Sequence, residues 1–130
     1  SGRPVRKGDM SSRYGGRADP ITGKRSMHTG VDFAGKTGSD VVAVASGVVS
    51  WTGRNAGYGN VVEISHGDDL VTRYAHNKEN LVVSGDVVRK GDTIALMGSS
   101  GRVTGPHVHF EVYKNGRAVD PSSYVARTQP

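Results

Sequence analysis

The apolar positions of this chain fall in short bursts and never in a long helical stripe. Residues 31–33, 41–44, 47–52, 60–65, 70–76, 81–83, 87–88, 93–97 and 108–113 each read as short β-strands. Turn residues punctuate them. Gly57-Tyr58-Gly59, His66-Gly67-Asp68-Asp69 and Asn115-Gly116 break the pattern, and Ser46-Gly47 reads as the turn that pairs 41–44 with 47–52. The stretch 14–27, built around Gly15-Gly16 and Asp19-Pro20, reads as loop. Asp120-Pro121-Ser122-Ser123 can start one helical turn, with Asp120 as cap and Pro121 at its first position. The expectation is an all-β domain of mostly antiparallel short strands, spaced every 8–12 residues or so, with little helix.

Composition refines this picture. The 130 residues suit one domain, 35% of them are hydrophobic, and 19 glycines without a three-residue period favour many tight turns. Residues 1–13 carry Arg3, Arg6, Lys7 and Arg13 with little apolar content and read as a linker or arm. The domain then spans 14–125, and 126–130 is a tail. The absence of cysteine excludes disulfides, a thiolate nucleophile and a cysteine zinc site. The chain starts at Ser1 without a signal-like segment, so it is expected to be either a mature piece or an internally cut piece of a longer protein. Seventeen basic against twelve acidic residues favour anionic partners, or simply a soluble basic surface. The basic residues are scattered and the chain has two Phe and one Trp, so no nucleic-acid partner is expected.

The histidines carry the candidate chemistry. In a strand, side chains alternate between faces, so Val108, Phe110 and Val112 point to the core, and His107, His109, Glu111 and Tyr113 point away from it. Imidazoles two residues apart stand about 6.6–6.8 Å apart, close enough for one to bind a metal while the other reaches its water. His28 and Asp32 form His-x-x-x-Asp in a loop entering a strand, with Gly30 between them. His76 ends the strand 70–76, on one face with Thr72 and Tyr74. His66 sits at a hairpin corner and is expected to hydrogen-bond backbone. Two histidines and one carboxylate leave an open position on Zn²⁺, as catalytic sites require, and two more histidines supply acid–base groups near neutral pH. The His-Glu-x-x-His helix of the better-known zinc peptidases is absent.

These residues make the chain similar to the lysostaphin/LytM-type zinc endopeptidase domains of cell-wall hydrolases. The resemblance runs through MHTGVDFAG, VVAVASGVVSWTG, GYGNVVEISHG, VTRYAH, VVSGDVVRKGDTIALMGSSG, TGPHVHFEV and AVDPSSY, in the family's order from Arg13 to Tyr124. It implies a mostly antiparallel sheet with an open groove along its face, related to the capped-hairpin type of barrel-sandwich. It implies one zinc per chain on His28, Asp32 and His109, with catalytic roles for His76 and His107. One position departs from the pattern, Asn77 standing where the family usually has Leu.

On that resemblance the expected substrate is the peptide stem of bacterial peptidoglycan, in the periplasm or cell envelope. The long segment before His28 looks like the Gram-negative form, whose target is the D-alanyl–meso-diaminopimelate cross-link. The lysostaphin branch, which cuts glycine bridges, is the alternative. His107 is the expected general base, and His76 stabilises the oxyanion or protonates the leaving amine, although the two can share the work. Glu111 either supports a ligand histidine or is a plain surface carboxylate. Tyr74 either lines the groove or packs. Arg13, Arg17, Lys24 and Arg25 either meet substrate carboxylates or are solvated. Relatives that have lost metal ligands serve as non-catalytic wall-binding or amidase-activating modules, and no ligand is lost here. A biotinyl-carrier-like reading of SGDVVRKGDTIALM leaves the histidines unexplained. A monomer is expected, with an upstream regulatory segment in the parent protein.

Overall fold

A computed structural model describes residues 2–7, 10–18, 22, 25–101 and 105–125, without the side chains of 17, 18, 25 and 26. Among the described residues twelve strands run in chain order: β1 (Met10–Ser12), β2 (Gly15–Ala18), β3 (Arg25–His28), β4 (Val31–Ala34), β5 (Asp40–Val42), β6 (Gly47–Asn55), β7 (Gly59–Ser65), β8 (Leu70–Asn80), β9 (Val87–Val88), β10 (Thr93–Met97), β11 (His107–Lys114) and β12 (Arg117–Val119). Every pairing among them is antiparallel. The main sheet runs β1-β4-β11-β8-β7-β6-β9, with β12 on β11 and β10 joining β5 to β8, while β2 and β3 form a separate hairpin. The only helical turn among the described residues is Pro121–Ser123, capped by the Asp120 side chain accepting from the Ser122 amide. Among those residues no helix is long and apolar enough to cross a membrane.

Alternation builds one buried face. Phe33, Val49, Val62, Ile64, Tyr74, Val108, Phe110 and Val112 close over a core that also takes Ile94, Ala95 and Met97 from β10. Tyr74 stands opposite Phe110, and their rings meet edge-on at 5.3 Å. The Asn115-Gly116 turn between β11 and β12 has both residues at positive φ, as a tight two-residue hairpin requires.

Three local expectations are corrected. The stretch 14–27 is not all loop: β2 and β3 pair from Gly15↔His28 to Ala18↔Arg25, because backbone pairing needs no apolar alternation where the hairpin lies outside the main sheet. The segment 41–44 does not pair with 47–52. Instead β5 pairs with β10, and β6 pairs with β7 and β9. Residues 81–83 form no strand, although the Leu81 amide still donates to the Ile94 carbonyl.

The stretch read as an arm lies along the domain in its described part. Val5 is buried and bridges to Val41, the Gly2 amide donates to Val44, and Arg6 pairs with Asp40 at 3.0 Å. The tail at 126–130 lies outside the described residues.

Candidate functional site

Two kinds of proximity bring the site together. The first is register. Asp32 on β4 stands directly opposite His109 on β11, and opposed residues of an antiparallel pair share a face. His109 Nδ1 lies 2.7 Å from Asp32 Oδ1. The second is the turn from β3 into β4, which folds His28 back so that its Nε2 lies 3.3 Å from Asp32 Oδ2. Gly30 makes this path available. A Cβ there would run into the Phe110 carbonyl and stand 2.8 Å from Glu111 Cγ and 3.0 Å from the His109 ring. The nearest ligand atoms of His28, Asp32 and His109 all lie within 4.8 Å of one another.

His76 arrives by a route that alternation does not predict. Strict period two puts it with Thr72 and Tyr74, and that face is core: all three are buried, and the Tyr74 hydroxyl accepts from Thr72 and from the Val44 amide. Tyr74 therefore does not line a groove. His76 escapes because its φ is 65° and β8 bulges there, three steps on β8 (Tyr74 to Asn77) facing two on β7 (Val62 to Asn60). Beyond the bulge β8 leaves β11 and pairs with β10. The turned ring lies 5.0 Å from that of His107 and 6.0 Å from that of His109. Asn77, the departure from the family pattern, is fully buried behind it and donates to the Tyr74 carbonyl and to Asn80.

Hydrogen bonds fix which ring nitrogen each histidine presents. Nδ1 of His28, His76 and His107 lies 2.7, 2.7 and 2.9 Å from the carbonyls of Arg13, Ser100 and Gly105, respectively. Each Nδ1–H donates there, and each Nε2 is left facing the site. His107 Nε2 is 3.8 Å from Asp32 Oδ1. His109 is reversed: its Nε2 lies 2.8 Å from Glu111 Oε2, so Nδ1 is the atom facing Asp32.

Glu111 is fully buried and encircled. Thr29 (2.6 Å) and Tyr58 (2.9 Å) donate to Oε2, and Arg73 (3.0 Å) and Tyr113 (2.8 Å) to Oε1. Arg73 is held in turn by Glu63 at 2.7 Å and lies against the rings of Tyr58 and Tyr113. Burial alone would raise the Glu111 carboxyl, but the donors His109, Thr29 and Tyr113 outweigh it and bring it down to about 2. Burial likewise lowers His109, and the hydrogen bonds to Asp32 and Glu111 overcome it, lifting the imidazole to about 9 in the metal-free chain. Asp32 stays below its ordinary value because His109, His28 and His107 outweigh its burial, and burial pushes His76 below its own.

The other expected residues separate. Arg13 is exposed and takes part through its carbonyl on His28. The side chains of Arg17 and Arg25, and Lys24 altogether, lie outside the described residues. His66 bonds the Ser46 carbonyl and Thr72, away from the cluster. Thr29, Tyr58, Arg73 and Ser100 escape a sequence reading. The signal for Arg73 is its register opposite Glu111, a long-range pairing that spacing does not carry.

Two imidazole nitrogens and a carboxylate oxygen on one side, with two oriented imidazoles opposite, make a donor set suited to a divalent metal beside acid–base groups. The chain is 43% identical over 119 residues to the DD-carboxypeptidase/endopeptidase Mpg of Neisseria meningitidis, a match covering 92% of this chain and 27% of that protein. It therefore spans about a quarter of that relative's length. Among solved structures, a zinc-containing peptidase from Vibrio cholerae superposes with a TM-score of 0.86 at 37% identity, over 98% of this chain and 40% of that one. The catalytic domain of lysostaphin from Staphylococcus simulans superposes at 0.80 with 32% identity, over 90% of this chain and 91% of its own. The family model described as Peptidase family M23 matches residues 26–121, from the strand that delivers His28 to the turn capped by Asp120, and the chain belongs to that family.

Proposed function

We propose that this chain is a zinc endopeptidase acting on the peptide cross-links of bacterial peptidoglycan, at the D-alanyl–meso-diaminopimelate bond. The observation that carries the proposal is the pairing of His28, Asp32 and His109, within 4.8 Å of one another, with His76 and His107 turned toward them. The donors fit the ion: two neutral nitrogens and one carboxylate leave positions open for reactants, and Glu111 holds one ligand histidine in the tautomer that binds. When bound there, zinc supplies Lewis acidity, which polarises a carbonyl and makes water nucleophilic near neutral pH.

In this reading His107 takes the proton of the attacking water at Nε2, the nitrogen on the Asp32 side. His76, its Nδ1 held by the Ser100 carbonyl, turns Nε2 toward the same cluster, where it hydrogen-bonds the developing oxyanion and passes a proton to the leaving amine. Burial that keeps His76 low makes it a readier proton donor once charged. The prefix "DD" in the name of the Neisseria relative supports the choice of bond, because it denotes a bond between two D-centres and glycine has no stereocentre. The site of action is then the cell envelope, where that substrate lies.

Digestion of purified sacculi, with mass analysis of the soluble products, tests the proposal. After a muramidase has cut the glycan of the digested material, monomeric muropeptides ending in D-alanine are expected in place of the cross-linked dimers. Sacculi bound but left intact would indicate a non-catalytic module, and cleavage confined to glycine-bridged walls would move the chain to the alternative specificity.

A further inference from the structure

The polar row on the face of the sheet does not stop at Glu111. Register carries it across four strands, from Glu111 on β11 to Arg73 on β8, Glu63 on β7 and Trp51 on β6. Arg73 bonds both carboxylates, so these side chains share one face. Past Arg73 the face opens into a concavity of about 270 Å³ lined by Trp51, Asn55, Tyr58, Val61, Glu63 and Arg73. Tyr58 belongs to both places, with its hydroxyl on Glu111 and its ring 5.9 Å from that of His109.

Trp51 is the one exposed aromatic residue among those described, with 40% of its surface open. Its seat is shaped for it. A Cβ on Gly53 would stand 2.8 and 2.9 Å from the indole Cζ2 and Cη2, so the ring lies over bare backbone that only glycine leaves open. Glu63 and Arg73 neutralise one another at 2.7 Å, so a charged ligand finds no unmatched partner in them. An aromatic face beside an amide and paired charged edges suits a neutral ring with one apolar face and hydrogen-bonding substituents, which is the chemistry of a pyranose.

Distance agrees. From His109, Trp51 lies two residues along and three strand spacings across, about 16 Å. An extended peptide covers about 3.3–3.6 Å per residue, so a stem of four residues together with the lactyl link to the sugar reaches from the cleaved bond to this concavity. We infer that the concavity is a subsite for a pyranose ring of the glycan strand that bears the scissile peptide. The inference rests on the peptidoglycan reading above.

Trp51 is the only tryptophan of the chain, so intrinsic fluorescence reads this place directly. The probe is the disaccharide N-acetylglucosaminyl–N-acetylmuramic acid, with the lactyl carboxyl amidated as it is in the wall. A saturable change in Trp51 emission is expected, with none from a cross-linked peptide that lacks sugar. In turnover, Trp51→Ala raises KM about tenfold on a disaccharide-bearing cross-linked substrate. It leaves KM on the sugar-free peptide within about twofold, and Trp51→Phe restores most of the loss. Silent fluorescence, or an equal rise in KM on both substrates, overturns the subsite while cleavage itself stands. A saturable response from an enzyme that cuts neither substrate supports the subsite and rejects the peptidase reading.

Discussion

Glu111 shows how one side chain can set the behaviour of another. Its carboxylate sits where solvent does not reach and accepts from Thr29, Tyr58, Arg73, His109 and Tyr113. A carboxylate held this way keeps its charge and makes His109 protonate at Nε2, freeing Nδ1 for a metal. Glu111→Gln keeps the shape and loses the charge. We expect it to weaken zinc binding about 10–100-fold in a chelator competition, with little change in the circular dichroism spectrum. His109→Ala should lose the metal, whereas His107→Ala should keep one zinc per chain and lose turnover. Full zinc occupancy in His109→Ala would show that the ligands are misassigned. Single residues were legible where their relations are local. The spacings His28-x-x-x-Asp32 and His107-x-His109 survive whatever the rest of the chain does. Arg73 and Tyr58 were not legible, because their importance lies in which strand comes to stand beside which.

At the scale of elements, the decisive departures from simple patterning are a bulge and a glycine. Alternation gave the correct faces for β11, and it misplaced His76 because one left-handed residue in β8 reverses the order. The same bulge is where β8 trades β11 for β10, so the strand that floors the site also ties it to the far side of the core. Nothing in Tyr74-Ala75-His76-Asn77 announces this, since histidine, though enriched at positive φ, takes it at only a small minority of positions. The crossing from β3 into β4 depends on Gly30 in a similar way. Gly30→Ala has to push β4 off the Phe110 carbonyl, an overpacking cost of about 1–3 kcal/mol. Activity should fall further than stability, because the displaced segment carries two of the three proposed ligands, His28 and Asp32. A thermal melt read beside a zinc titration would separate the two effects. An unchanged zinc affinity would mean that the turn is not what aligns His28 with Asp32.

For the molecule as a whole, the all-β antiparallel architecture was legible from turn spacing, and the pairing order was not, as β5 and β10 illustrate. The buried charges of the site also give the metal-free chain a defined response to pH. Glu111 falls from an ordinary 4.5 to about 2, so its contribution to stability is complete above 4.5 and is lost as pH drops through about 2. His109 rises from 6.5 to about 9, so its contribution is complete below 6.5 and is lost as pH climbs through about 9. Urea midpoints of the metal-free chain should therefore peak between pH 4.5 and 6.5, and Glu111→Gln should flatten the acid limb. Saturating zinc should raise the melting temperature, by mass action on the folded state alone. The way the histidines are oriented has a consequence for evolutionary drift. His28, His76 and His107 take their direction from main-chain carbonyls, which every amino acid supplies. The loops around them can diverge widely in side chain while the chemistry is inherited intact, so long as the path of the backbone is kept. Among the four histidines of the cluster, His109 is the one held by carboxylates on both ring nitrogens, so a lineage that mutates Glu111 removes the group that sets its direction.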